Sequence, residues 1–500
     1  MTSSPTFPPL PKRYWLNQSR MTERKKFYIT TPIYYVNDKP HIGSAYTTIA
    51  ADVIARLHRQ AGDNVYFLTG TAEHGTKIAE SAEKAGKDIQ AFVDENAVKF
   101  STTWENLDIQ PDDFIRTTED RHVEAVKKFF LKLKDSGKVY EGEYEGLYCV
   151  GCEAFKKESE LTPEGLCPLH NKKPEKVSEQ NWFFKLSDYQ QILKEKIEDG
   201  EISIEPENRK NEVLSFINQG LEDIAISRRS AKFAIPLPWD QEQTIYVWLD
   251  ELFNYCSAVG YGADDEKFNT YWPADAHLMG KDIIKFHCII WPALLLAIGL
   301  EPPKKIVAHG FFTVNGQKMS KTLGNVIDPN EWAMKYGADV VRYFVLREVP
   351  FGQDGDVSEE KLKMRYKADL ANSLGNLFSR LTNMIEKFSG GAIPDLVPSS
   401  KLKELEDVTL LTNGFKFSLA LERIWEVLQW ANQTIDKEKP WELVGQNDAK
   451  LHALLSDLAA TLYEVAKVLS SFMPETCEKI RTALSAEKII KAEPLFPQID

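Results

Sequence analysis

The period of apolar and polar positions changes several times along this chain of 500 residues, and the changes mark its parts. Residues 25–36, KKFYITTPIYYV, are β-branched, aromatic and largely apolar, which predicts a strand running into a loop that ends at HIGS, 41–44. Residues 45–62, AYTTIAADVIARLHRQAG, then place apolar side chains at helical spacing and stop at Gly62. NVYFLTGT, 64–71, predicts a second strand. Strand, loop, helix and strand at this length form a βαβ unit, hence a parallel sheet with a ligand site at its strand ends. A polar, Lys- and Glu-rich stretch over roughly 141–235 reads as an insertion. Strand patterns return at TIYVWLD, 244–250, and at KIVAHGFFTV, 305–314. The longest apolar run, 289–300, is broken by Pro292 and Gly299, so it predicts a buried helix and not a membrane span. Beyond about residue 365 helical periodicity takes over, as in FSLALERIWEVLQWANQTID, 417–436, and predicts a C-terminal bundle.

A hydrophobic content of 43% at this length supports several domains with a large core. The net charge of −13 argues against a protein that coats nucleic acid indiscriminately, so any cations that face phosphate must be local. Cys256, Cys288 and Cys477 lie in apolar surroundings and are expected to be buried thiols. The other cysteines cluster. Cys149-Val-Gly-Cys152 and Cys167-Pro-Leu-His170 are two chelating pairs at zinc-knuckle spacing. Four protein ligands leave no open position, which makes the expected Zn²⁺ structural, and a reduced cytoplasm favours metal over disulfide. The first twenty residues contain no acid, three basic residues and four prolines. They read either as a disordered leader or as an organellar import segment.

Two short motifs carry the chemistry. His41-Ile42-Gly43-Ser44 sits where the first strand meets its helix, where small residues admit a nucleotide and helix N–H groups meet phosphate. Lys318-Met319-Ser320-Lys321-Thr322-Leu323-Gly324-Asn325 follows an expected hairpin, VNGQ at 314–317. Its two ammonium groups suit a loop that closes over a triphosphate and stabilises charge on departing pyrophosphate.

HIGS followed about 270 residues later by KMSKTLGN resembles the paired signatures of the class I aminoacyl-tRNA synthetases. TTPIYYVN, GTAEHGTKIAE, TIYVWLDELFNY and MGKDIIKFH are similar to the methionine enzymes of that class, and the resemblance runs from about residue 25 to the C-terminus. It implies an α/β, Rossmann-type parallel-sheet catalytic domain with an inserted zinc-knuckle domain and a C-terminal α-helical bundle. The division expected is a leader (1–24), two catalytic halves (25–140 and 236–305), a connective insertion (141–235), a KMSKS-loop and stem-contact region (306–365), and an anticodon-binding bundle (366–500).

The implied reaction activates L-methionine with ATP, bound with Mg²⁺, to methionyl-adenylate. The acyl group then passes to the 3′ end of tRNA(Met). No side-chain nucleophile is required, so catalysis is positioning and charge stabilisation. By resemblance, His41, Ser44, Lys318 and Lys321 are catalytic, and ATP also meets Gly43, Gly280, Asp282, Met319 and Ser320. The methionine pocket falls to Pro32, Ile33, Tyr35, Val247, Trp248, Glu251, Tyr255 and His287, an aromatic and aliphatic box suited to a thioether. Asn376 and Arg380, four apart on one helix face, and Trp441 behind Pro440 match anticodon-reading positions. A cytoplasmic monomer is expected.

Three positions depart from the family. Ser44 replaces the second His of the first motif, Ala72 stands where an Asp normally meets the methionine ammonium, and Glu251 replaces a small residue, usually Ala. One reading is an exchange of acid between facing walls, with Glu251 supplying the charge absent at 72. The other treats the changes as independent, with Glu73 or water meeting the ammonium. A synthetase of shifted amino-acid specificity, a non-catalytic RNA-binding relative and a zinc-knuckle nucleic-acid module are the competing functions. An intact KMSKTLGN, Asp282 and Trp441 weigh against the RNA-binding relative, and the strand and ATP motifs outside 149–170 weigh against the zinc-knuckle module.

Overall fold

The structure, a computed structural model, describes residues 24–149, 154–156, 158–168, 171–229, 231–319, 324–393 and 399–499. Its frame is a seven-stranded sheet. Six strands give it its order: β1 (Lys26–Thr30), β2 (Asn64–Ala72), β3 (Asp113–Arg116), β4 (Ser203–Glu205), β5 (Ala276–Gly280) and β6 (Lys305–His309). They lie β3-β2-β1-β5-β6-β4, every pairing is parallel, and Tyr34–Tyr35 adds two residues beside the end of β2. The chain leaves β1 toward β2 and β3 on one side and returns to β5 and β6 on the other. Strand order therefore reverses between β1 and β5, and a crevice opens at their carboxyl ends.

The βαβ unit read from the sequence is present. Its helix, α1 (Ile42–Ala61), begins three residues earlier than the periodicity suggests, because Ile42, Gly43 and Ser44 form its first turn under a His41 cap. Gly62 ends it in the left-handed conformation, φ 89°. The expected strand at 244–250 is corrected. The strand covers Asp240–Ile245 in an antiparallel pairing, and Val247–Leu252 is helical. Valine and tryptophan favour strand locally, but Leu249 and Asp250 turn their N–H groups back onto the Tyr246 carbonyl. That turn, in α3 (Val247–Leu252), delivers Asp250 to His122 on α2 (Asp120–Asp135).

Between β3 and β5 the chain forms a long antiparallel ladder, Val139–Cys149 against Glu175–Phe184, running in register from Val139↔Phe184 to Tyr148↔Glu175. The same stretch also contributes β4. Lys305 of β6 pairs with Ser203 in backbone register, and its ammonium reaches Glu205 at 2.8 Å. The apolar run at 289–300 forms a π-turn, Phe286–Ile290, leading into α4 (Trp291–Ala297), with Pro292 in its first turn. Among the described residues no helix is long and apolar enough to cross a membrane.

Helices α5 (Ala338–Glu348), α6 (Asn376–Ser389), α7 (Leu402–Asn413), α8 (Phe417–Glu438), α9 (Asp448–Leu469) and α10 (Pro474–Leu484) complete the chain as a packed helical region. One apolar cluster runs without a break from Ile49 and Val53 of α1 through Phe344 of α5 to Leu421 of α8 and Leu462 of α9. At its heart Arg342 of α5 and Asp52 of α1, both with no exposed side-chain surface, bond at 2.7 Å. The guanidinium also donates to the Leu107, Asp108, Ser471 and Phe472 carbonyls. Asp52 accepts in addition from Arg56 at 2.7 Å and from the Gln110 N–H at 3.0 Å.

Removing one partner of a buried, fully bonded pair leaves an uncompensated charge. Arg342→Ala is therefore expected to cost about 3–5 kcal/mol of unfolding free energy. Urea denaturation checks this: a midpoint near that of the unmodified chain contradicts it.

Candidate active site

Site residues gather at the carboxyl ends of β1, β2, β5 and β6. His41 precedes α1 with extended backbone, and its Nδ1 accepts the N–H groups of Gly43 (3.0 Å) and Ser44 (3.4 Å). The Ser44 hydroxyl accepts the His41 N–H at 3.1 Å and donates to the His41 carbonyl at 2.7 Å. This is a capping box built from His and Ser. Backbone N–H groups only donate, so Nδ1 carries no proton and the neutral ring holds its hydrogen on Nε2. The exposed imidazole thus presents a donor at a helix N-terminus, where phosphate oxygens are favoured. The resemblance assigned the Ser44 hydroxyl to the nucleotide; here its proton goes to the His41 carbonyl.

Gly43 lets this turn close. A Cβ there would lie 2.9 Å from the His41 ring and 3.8 Å from the Met319 methyl carbon. The same point shows that the two motifs, far apart in sequence, meet in space. Ile42 reinforces the contact by donating its N–H to the Ile327 carbonyl at 3.0 Å. Lys318 closes the expected hairpin, pairing with Thr313 across a turn made by Asn315 and Gly316 at φ 54° and 73°. Ser320 and Lys321 lie outside the described residues.

At the end of β5 a Cβ on Gly280 would meet a carboxylate oxygen of Asp282 at 2.7 Å, so the exposed acid sits over bare backbone. At the end of β6, His309 accepts the Thr47 hydroxyl proton at Nε2 (2.6 Å) and donates from Nδ1 to the Gly310 carbonyl (2.7 Å). Burial lowers its pKa to about 4, which keeps the ring neutral and α1 seated on the sheet.

Ile33, Val247 and Tyr255 are buried in one apolar cluster with Ala72; Tyr35 and Trp248 pack against it half-buried. Pro32 is half-buried beside Ile33. The Tyr35 and Trp248 rings meet edge to face at 6.2 Å, and Trp248 stacks on Phe286 at 4.3 Å. His287 donates from Nδ1 to the Ile283 carbonyl (3.0 Å) and receives the Tyr255 hydroxyl proton at Nε2 (2.8 Å). Burial lowers the His287 pKa to about 4. Both polar hydrogens of this pair are thus committed within the wall.

Of the next layer, the sequence singled out Glu73 alone, as one candidate to meet the ammonium. Glu73, fully buried, accepts from Arg116 through Nε (2.7 Å) and Nη2 (3.0 Å), and from the Thr71 and Thr118 hydroxyls. Asp250 lies between His74 Nδ1 (2.8 Å) and His122 Nε2 (2.7 Å), and the second nitrogen of His122 meets the Ser257 hydroxyl at 2.8 Å. Burial opposes the charge on Asp250, yet the charge and hydrogen bonds of its two histidines hold its pKa at about 2. His74 and Asp250 stood inside the AEHG and WLDE strings; only their side-chain types hinted at a pairing. Glu251 follows Asp250 and is 6% exposed.

In the helical region Asn376 opens α6, and with Arg380 it lines a groove of about 630 Å³ shared with Trp425, Gln429, Asn432 and Asp436. Arg380 bonds Asp436 at 2.6 Å. Trp441, 48% exposed, sits in the short helix Pro440–Leu443 and is not part of that lining. Of the proposed metal ligands, Cys149 and Cys167 are buried, while Cys152 and His170 lie outside the described residues. The described residues contain no group of three or more metal-ligating side chains. Cys256, Cys288 and Cys477 are buried thiols whose pKa burial pushes up.

A parallel sheet whose switch-point crevice gathers a capped helix end, an acid over bare glycine and a cluster of aromatic side chains is that of a nucleotide-binding α/β enzyme. The family described as tRNA synthetases class I (M) matches residues 27–173 and 163–382. The chain is 46% identical to a methionine–tRNA ligase of Thermotoga maritima over 95% of its own length and 80% of that protein. Against a methionine–tRNA ligase of Streptomyces coelicolor it is 42% identical, over 94% and 91%. Its fold matches a Mycobacterium tuberculosis methionyl-tRNA synthetase solved with methionyl-adenylate at a TM-score of 0.90 and 38% identity, covering 95% of this chain and all of that one. The chain belongs to the methionine group of the class I tRNA synthetases.

Burial lowers the pKa of His277, His287 and His309, and these set a pH dependence. His287 and His309 each bind their proton near pH 4 when folded but near 6.5 when unfolded, so their stabilising contribution is complete above 6.5 and is lost as pH falls toward 4. Asp250 keeps its contribution until pH drops below its ordinary 3.8. Melting temperature is expected to be level near pH 7–8 and to fall below about 6.5, at about 1.4 kcal/mol per pH unit per histidine. A melting curve flat down to pH 5 contradicts this.

Proposed function

We propose that this chain is a methionine–tRNA ligase. In its first step the methionine carboxylate attacks the α-phosphate of ATP, forming methionyl-adenylate and releasing pyrophosphate. In the second, the acyl group moves to the terminal ribose of tRNA(Met) and AMP leaves. The observation that carries the reading is the meeting of the two nucleotide motifs at Gly43 and Met319, beside a pocket of Ile33, Tyr35, Val247, Trp248, Tyr255 and His287.

Residue roles follow from chemistry. His41 offers its Nε2 hydrogen to the phosphates, and Asp282, over Gly280, accepts from the ribose hydroxyls. Lys318 and Lys321 neutralise charge on the departing pyrophosphate, which forms with no covalent enzyme intermediate. Pro32 and Ile33 border the methionine side chain, whose thioether suits aromatic faces. Because the Tyr255 proton is given to His287, the sulfur meets ring faces and not a hydroxyl donor.

Asn376, Arg380 and Trp441 are the anticodon readers in this proposal. The first two share one polar groove, and the exposed indole of Trp441 is available to stack on an unstacked base. The expected division of the chain stands as part of the same reading, with residues 25–140 and 236–305 housing catalysis and 366–500 binding the anticodon. A monomer working in the reduced cytoplasm is its natural setting.

Zn²⁺ is proposed on Cys149, Cys152, Cys167 and His170. In support, Cys149 ends its strand 3% exposed, and Cys167 is buried, with its carbonyl accepting the Asn171 N–H at 2.8 Å. Thiolates and imidazole suit a tetrahedral ion, which would fasten two turns and take no part in the chemistry.

ATP–pyrophosphate exchange against all twenty amino acids tests the function. Exchange with methionine alone is expected; none, or another preferred amino acid, overturns the assignment. Elemental analysis of the purified chain tests the metal, with about one zinc per chain expected. Its removal by chelation is expected to lower the melting temperature before it lowers exchange at 25 °C, and a metal-free chain of unchanged stability contradicts a structural ion.

A further inference from the structure

The groove that holds Asn376 and Arg380 is framed by α5, the π-helical segment Tyr366–Gly375, α6 and α8. Its lining includes five amides, Asn372, Asn376, Gln429, Asn432 and Gln433. An amide both donates and accepts, as the edge of an unstacked base does. The Asn432 Oδ1 is buried with no hydrogen bond, an acceptor left open within this lining. Acids line the groove too, but three of them are already engaged. Asp369 accepts from the Tyr343 hydroxyl and Arg365, Glu426 from Arg423, and Asp436 from Arg380.

The neighbouring arginines are committed as well: Arg342 to Asp52, Arg365 to Glu348, Arg380 to Asp436 and Arg423 to Glu426. Arg347, on α5 and half-buried in the same lining, is not. It makes no ion pair and no hydrogen bond among the described residues, and its Nε is buried without a partner. Two ring contacts place it along the groove. Tyr343, one turn earlier on α5, packs on Trp425 at 4.5 Å, and Phe351, four residues later, packs on Phe417 at 5.1 Å. The chain therefore runs antiparallel to α8 here, and Arg347 lies abreast of Leu421 and Glu422. Glu422 is exposed and forms no ion pair with it. Arg380 meets α8 at Asp436, about 21 Å further along its axis at 1.5 Å per residue. The groove is thus longer than one base, with a held cation at one end, an unheld one at the other and amides between.

We infer that Arg347 binds a backbone phosphate of the anticodon loop, while the amides between it and Arg380 meet base edges. The inference rests on reading this groove as the anticodon site. A guanidinium grips phosphate through two parallel N–H···O bonds, and such a contact fixes the register of a strand without reading its sequence. Arg347 therefore sets how tightly the tRNA is held and leaves its selection to the amides.

The test follows aminoacylation by the full chain over a range of salt concentrations. Its probes are a tRNA(Met) transcript and the same transcript with one anticodon base replaced. Arg347→Gln is expected to raise the tRNA KM by about 10-fold. It should lower the slope of log affinity against log salt by about 0.7, the value for one phosphate contact on a single strand. Methionine-dependent pyrophosphate exchange without tRNA should stay within about twofold, and the ratio between the two transcripts should not change. Arg347→Lys, which keeps the charge, is expected to restore the slope. A folded Arg347→Gln with unchanged KM and slope overturns the inference. So does a raised KM at unchanged slope, which makes Arg347 a brace of α5, or a penalty confined to one transcript, which makes it a base reader. An unmodified chain that exchanges pyrophosphate with methionine yet charges no tRNA is a different failure, because it removes the anticodon site itself.

Discussion

A single guanidinium, that of Arg342, fixes the helical region to the nucleotide-binding sheet. Burying a full charge is expensive, and it is tolerated here because Asp52 supplies the opposite charge and four carbonyls take up the remaining hydrogens. The five acceptors come from three separate stretches: α1, the turn after residue 106, and the turn between α9 and α10. An apolar contact tolerates small slides, whereas this arrangement permits one relative placement. Asp52 lies on the same helix whose first turn is capped by His41, so a rigid rod of about three turns connects the interdomain bond to the phosphate end of the site.

The active-site walls obey a related rule. Glu73 is satisfied by Arg116, Asp250 by two histidines, and His287 by Tyr255 and the Ile283 carbonyl. Such saturation keeps the apolar surface facing the ligand rigid and limits the polar atoms able to address it. Selectivity then depends on few groups.

Much of the frame was legible in the sequence. The first strand, α1, β2 and the C-terminal helices follow from their periods, and the hairpin at 314–317 follows from Asn-Gly. What was not legible depended on distant residues. The strands β3 and β4 are four and three residues long and are strands only because β2 and β6 lie beside them. The segment 247–250 has a strand's composition but a helix's geometry, since Asp250 has to reach His74 and His122. The motif residues themselves were visible, whereas the Glu73–Arg116 pair and the Arg342 clamp join positions that look ordinary one at a time.

The edge strand β4 carries a last consequence. It comes from the middle of the long polar stretch between β3 and β5, yet its backbone completes the hydrogen bonding of β6. That stretch is therefore woven into the sheet and is no detachable cassette. Excising or grafting it between relatives would uncover a raw sheet edge, open to pairing with another chain. Residues 203–205 are the stitch that ties the stretch to the sheet, and the outer ladder and the helices around it lie on either side of them.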